Sequence, residues 1–233
     1  MKLYKASDRG HFDFGWLNTN HSFSFGHYMN EERMNFGMLR VLNDDIVAPG
    51  EGFGTHPHNN MEIISIPLEG EIMHRDSMGH EQGLRPGDVQ VMSAGTGLTH
   101  SEYNGSATDF LKFLQIWIVP NERNVEPRYD QVHVGDKSKN TLYTVVGPKN
   151  GDSPLWITQN AWLSVANLAT DATVTHTTRG IATGTYVFVI DGSVRIGDTI
   201  LGPRDAASFT DISTIDIAAV NEAYFIVIEV PLV

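Results

Sequence analysis

Two short runs of this 233-residue chain carry side chains able to do metal chemistry: His56-Pro57-His58 and His100-Ser101-Glu102. In extended backbone, residues two apart project to the same face. His56 and His58 therefore face one cavity, and His100 and Glu102 do likewise. Brought together across a small barrel, the two pairs set three imidazoles and one carboxylate around a single point. Such a donor set suits one divalent first-row ion (Fe, Ni, Co, Cu, Mn or Zn) and leaves coordination positions for a substrate or O2. One HxH among ten histidines is weak on its own. The second pair, and the glycines that frame both, give the pattern its weight.

Those elements must be strands joined by tight turns. Gly50 stands six residues before His56, Glu62 four after His58, and Gly70 closes the segment GEGFGTHPHNNMEIISIPLEG. In PGDVQVMSAGTGLTHSEYN, Asn104 follows His100 by four. The two segments resemble the two cupin motifs. The fuller wording resembles the pirin family, and within it the short bacterial pirin-like proteins that include quercetin 2,3-dioxygenases. The resemblance is carried by HSFSFGHYM (21–29), RVLNDDIVAPGEGFGTHPHNNMEI (40–63), LEGEIMHRDSMG (68–79), MSAGTGLTHSEYN (92–104) and LQIWIVPNERNVEPRYDQ (114–131). That is most of the first 131 residues; the later half matches in architecture more than in words.

The resemblance implies an all-β bicupin with one metal, Fe(II) foremost, held by His56, His58, His100 and Glu102. It implies a dioxygenase that opens the heterocycle of a flavonol such as quercetin, or acts on another enol-bearing small molecule, with O2 and release of carbon monoxide. Glu102 would both ligate and accept the substrate proton, the catalytic part. A second class is a regulatory, redox-sensing metal protein that works through protein partners. A third is a cupin whose metal is a relic, against which the complete quartet argues.

The composition belongs to a globular chain, 41% hydrophobic and 19% charged. Its net charge of −12 argues against nucleic acid or an anionic membrane as a partner. There are no cysteines, hence no disulfide and no thiolate ligand or nucleophile. The first residues, MKLYKASDRGHFDFGW, are polar where a signal peptide needs an apolar core, and no run approaches the ~18 apolar residues of a membrane helix. A cytoplasmic location is the expectation.

Short apolar or alternating runs separated by Gly, Pro, Asn and Asp recur throughout: 36–42, 61–70, 88–93 and 113–119, then 141–146, 161–168, 185–190, 194–197, 205–210, 213–219 and 223–230. This spacing predicts a barrel or sandwich, with a turn or two of helix only around 121–128 or 154–160. Laying Gly192 on Gly70 sets YVFVIDGSVRI over ISIPLEGEIMH, and a spacing five residues shorter sets GPRDAASF over RPGDVQVM. A repeat of this size means a duplicated domain. The polar segment 120–140 reads as a linker, giving a metal-binding unit 1–131 and a cupin-like unit 132–233 without ligands, with terminal strands crossing between them. His56 and His58 then fall on Thr178 and Gly180 at the first spacing, and His100 and Glu102 on Ile217 and Ala219 at the second, none a usual ligand. His176, two positions off and alone, reads as a surface or strand-end histidine.

Other polar residues receive lesser parts. Glu62 reads as a support to the barrel rather than a ligand. His74 and His80 flank the turn Asp76-Ser77-Met78-Gly79 and read as solvated. His21 and His27 sit in an aromatic run and read first as packing, second as pocket residues. Asn43-Asp44-Asp45 reads as a loop near the barrel mouth. Phe23, Phe25, Met38 and Phe53 are candidates for an aromatic slot.

Overall fold

The computed structural model describes residues 1–233, nearly all strand, with 3-10 turns at Ala6–Asp8, Glu31–Arg33 and Gly135–Ser138. No helical turn forms in 121–128 or 154–160. In the first half a seven-stranded sheet runs Arg128–His133, Asp88–Ser93, Glu62–Glu69, Leu111–Ile118, Leu39–Val47, Leu17–His21, Gly10–Asp13. A four-stranded sheet closes over it in the order Gly52–His58, Leu98–Asn104, Ile72–Asp76, Glu81–Leu84. The second half repeats the plan. Its large sheet runs Lys2–Tyr4, Ala206–Phe209, Thr183–Asp191, Ala223–Pro231, Trp162–Leu168, Tyr143–Pro148, Leu155–Ile157. Its small one runs Thr173–Thr177, Thr214–Ala219, Val194–Ile196, Thr199–Leu201. The duplication expected from the glycine-turn pattern is thus present as a repeated sheet order. Gly70 and Gly192, matched by it, both hold positive φ (77° and 72°). A Cβ on either would press on the backbone at 110–111 or 222–223, so only glycine suits this turn.

Strand periodicity divides the interior. Along Leu111–Ile118, Leu114, Ile116 and Ile118 join Val146, Leu163 and Ile226 of the other large sheet in one buried cluster between the barrels. The alternate residues Phe113, Gln115 and Trp117 fall on the opposite face, inside the first barrel. Both faces of the large sheets are therefore buried, and their sequences read as nearly continuous apolar runs. The two barrel interiors differ. The second is filled by one cluster of 15 buried apolar residues, including Val187, Ile217, Ala219 and Phe225. The first has two smaller clusters, of 6 around Leu17, Ile72 and Phe113 and of 4 around Ile63 and Met92.

Between those two clusters a row of polar residues crosses the first large sheet. His21 pairs with Asn43, Asn43 with Gln115, Gln115 with Ser65 and Ser65 with Gln90. Directly paired residues on antiparallel strands share a face, so the whole row lies on the barrel side.

The terminal strands cross as expected. Lys2–Tyr4 pairs with Ala206–Phe209 of the other half, and the Met38 amide donates to the Pro231 carbonyl at 2.9 Å. Two readings are corrected. The 120–140 segment is no plain linker, since Arg128–His133 forms the edge strand beside Asp88–Ser93. Asn43-Asp44-Asp45 lies not in a loop but within Leu39–Val47, with all three residues buried. The acidic pair misled because charged residues usually mark turns. Asp44 instead joins the two halves, accepting from Arg9 at 3.1 Å and Arg204 at 2.9 Å.

Candidate metal centre

The HxH motif lies on Gly52–His58 and the second pair on Leu98–Asn104, adjacent antiparallel strands of the small sheet. His100 sits directly across from His56, and a register shift follows between His100 and Glu102. On its other edge the same strand places His100 opposite Asp76 and Glu102 opposite His74. The imidazole centroids are 4.4 Å apart for His56 and His100, 4.8 Å for His56 and His58, and 4.9 Å for His58 and His100. One ring nitrogen of each lies within 4.8 Å of the others. His100, Glu102 and His74 form a second, wholly buried group that meets the same limit. Both groups are in the first barrel, and they share His100.

Local bonding tests whether these side chains suit a metal. His56 Nδ1 is 2.8 Å from the Gly54 carbonyl. It therefore donates there and leaves Nε2 with a free lone pair, the usual orientation device for a ligating imidazole. Neither ring nitrogen of His100, which is 1% exposed, has a hydrogen-bond partner. Buried polar atoms are rarely left so, and a metal on the lone pair would account for one of the two. Burial, reinforced by His56 and His74, pushes the His100 pKa down to about 3. Burial with His100 and His56 pushes that of His58 down to about 4. Both rings are neutral at pH 7, the form that binds a cation. Glu102 is buried and oriented, its Oε1 accepting from the Ser65 hydroxyl at 3.3 Å and Oε2 from the Gln115 amide at 2.9 Å. The donors fit a divalent transition ion, and the centre is metal-capable.

Several readings change around it. His74 is no solvated turn residue: it is 1% exposed, its ring 5.4 Å from His100 and its Nε2 3.2 Å from Asp76. The strand runs on to Asp76, and its residues 72, 74 and 76 face inward. His80 does stand at the turn, but it also bonds Asp76 at 2.9 Å and stacks on Tyr129 at 4.9 Å. His176, read as a surface residue, is 1% exposed, 3.1 Å from the Thr185 hydroxyl and 3.4 Å from Glu229. Glu62 is the support it was expected to be, bridging the halves by accepting from Ser93 and from the Thr158 hydroxyl, each at 2.6 Å.

Of the aromatic candidates, Phe25 and Phe53 line a pocket of about 180 Å³ together with His21 and His27. Phe23 instead packs against Tyr186, and Met38 lies by the interface between the halves. Sequence reading passed over Trp117, whose ring stands 5.0 Å edge-on from His58 and 5.3 Å edge-on from Phe25. It also passed over Ser65 and Gln115. Each is a lone polar residue inside an apolar strand, IISIP or FLQIW, a signal that could have found both.

The chain is similar to known proteins along its whole length. Residues 4–118 match the Pirin family and residues 144–230 the quercetinase C-terminal cupin domain. The chain is 38% identical to a quercetin 2,3-dioxygenase of Escherichia coli strain K12, over 98% of each chain. It is 36% identical to a pirin-like protein of Caulobacter vibrioides, over 93% of this chain and 94% of the other. The crystal structure of the bacterial pirin YhhW from Escherichia coli in complex with nickel(II) superposes with a TM-score of 0.93 at 37% identity, covering 100% of this chain and 99% of that one.

Proposed function

The chain belongs to the pirin family, and from that premise we propose that it is a metal-dependent dioxygenase opening the heterocycle of a flavonol, quercetin or a related enol, with O2 and release of carbon monoxide. We assign the metal to residues 1–131 and a structural part to 132–233. In this reading His56, His58, His100 and Glu102 hold one divalent ion, Fe(II) in the first place. Such an ion supplies a Lewis-acidic centre that acidifies an enolic hydroxyl and gathers the two reactants. Glu102 takes up the hydroxyl proton, while Ser65 and Gln115 hold its carboxylate in place. Phe25, Phe53 and Trp117 exclude water and offer faces and edges to flat rings.

The observation that carries the reading is the cluster of three imidazoles around His100, whose ring nitrogens lack any other partner. The test is metal content and loss of the quercetin chromophore under O2, on protein as isolated and after anaerobic Fe(II) loading. One metal per chain with metal-dependent turnover is the expected result. One metal without turnover of any flavonol would favour the regulatory class, in which the ion senses redox state for a protein partner.

A further inference from the structure

The pocket beside the metal-capable cluster is built from opposed materials. Its walls are Phe12, Phe14, Phe25 and Phe53, and its polar lining includes His21, Asn43 and Asp45. A dry cavity of about 150 Å³ takes benzene, so a pocket of about 180 Å³ holds one substituted ring and no fused pair. Two lining residues are incompletely bonded, since Asn43 Oδ1 and His21 Nδ1 are buried without a partner. The carbonyl oxygen of Asn43 can only accept. Burial pushes the His21 pKa down to about 4, so the ring is neutral at pH 7 and its unpartnered Nδ1 is able to accept in one of the two tautomers. Asp45 gives one oxygen to the Thr19 hydroxyl. Burial, with Asp44 and Glu102 nearby, raises its pKa to about 7, so this carboxyl is largely relieved of its charge.

Two chains of neighbouring residues lead from this pocket to the metal-capable cluster. Asn43 pairs with Gln115, which bonds Glu102. Phe25 touches Trp117, and Trp117 touches His58. We propose that the pocket binds an uncharged, hydroxyl-bearing aromatic ring at the end of the substrate remote from the metal, its hydroxyls donating to Asn43 Oδ1 and His21 Nδ1. The inference rests on the first barrel being the place of reaction, and it states what the substrate must carry.

The probes are resorcinol and toluene, neither of which offers the metal a carboxylate or neighbouring hydroxyls. Each is titrated into the metal-loaded protein by calorimetry and by ligand-observed NMR. Resorcinol is expected to bind more tightly than toluene, and quercetin to displace resorcinol. Asn43→Leu and His21→Phe each remove one acceptor at similar volume, and each is expected to weaken resorcinol roughly five- to tenfold, the size of one hydrogen bond, with toluene unchanged. Resorcinol binding no tighter than toluene on the unaltered chain overturns the proposal whether or not the variants fold. So does unchanged resorcinol affinity in a variant that melts normally. Resorcinol binding of the expected pattern beside failed quercetin turnover would uphold the pocket and remove the proposed reaction.

Discussion

His100 belongs to both groups of potential ligands, and its ring has no other bond to lose. His100→Ala or His56→Ala is expected to abolish tight binding of one metal equivalent, read by metal analysis after dialysis. Retained stoichiometric binding would show that the ion sits elsewhere. Glu102→Gln keeps the shape and the contact with the Ser65 hydroxyl, so it should lower turnover more than metal content. His176→Ala should leave metal content unaltered, yet destabilise by about 1–3 kcal/mol in thermal unfolding because it strips a partner from fully buried Glu229.

The same residues set a pH dependence for the metal-free protein. His21, His58 and His100 have folded pKa values lowered to about 4, 4 and 3. Between roughly pH 6.5 and 4 the unfolded chain therefore binds protons that the folded one does not, and stability falls as pH drops. Buried Asp45, raised to about 7, acts in the opposite sense over much of that window. Three groups against one leave a net fall toward acid. A metal-free melting temperature that rose from pH 6.5 to 4.5 would contradict this balance.

At the scale of elements, the site depends on close approach of two strands. A Cβ on Gly52 would meet the Glu102 carbonyl and the Tyr103 backbone. Gly52→Ala should therefore push Gly52–His58 away from Leu98–Asn104 and weaken metal binding along with thermal stability. Unchanged metal affinity would mean that the strand spacing is not what positions the imidazoles. Strand periodicity also explains what each sequence pattern revealed. HxH and HSE could be placed on one face because a strand has period two. His74 escaped the same argument because it flanks the turn at Asp76–Gly79, where polar residues read as solvated, although its strand runs on to Asp76.

At the scale of the molecule, the halves share one buried layer and exchange their ends. Residues 1–131 expressed alone would expose the interface face of the large sheet, with Leu42, Ile64 and Ile116 on it. They are expected to aggregate or to lose cooperative unfolding, whereas the whole chain should melt in a single calorimetric transition. The difference between the barrels is one of filling. Fifteen apolar residues occupy the second interior, while the first gives its middle to a polar row whose Gln115 and Ser65 hold Glu102.

By itself the sequence determined the all-β class, the duplication, nearly every central strand and the placing of the His56-Pro57-His58 and His100-Ser101-Glu102 runs on strands, because these are set by period-two patterns, turn glycines and short motifs. The tertiary structure decided what depends on residues far apart in the chain. It buried His74 beside His100 and His176 against Glu229, drew Asp44 into a bridge between halves, and gathered His21, Asn43 and Asp45 into one pocket. Burial and partnership arise only when strands pair across long separations, and a local reading of polar residues assigns them to solvent.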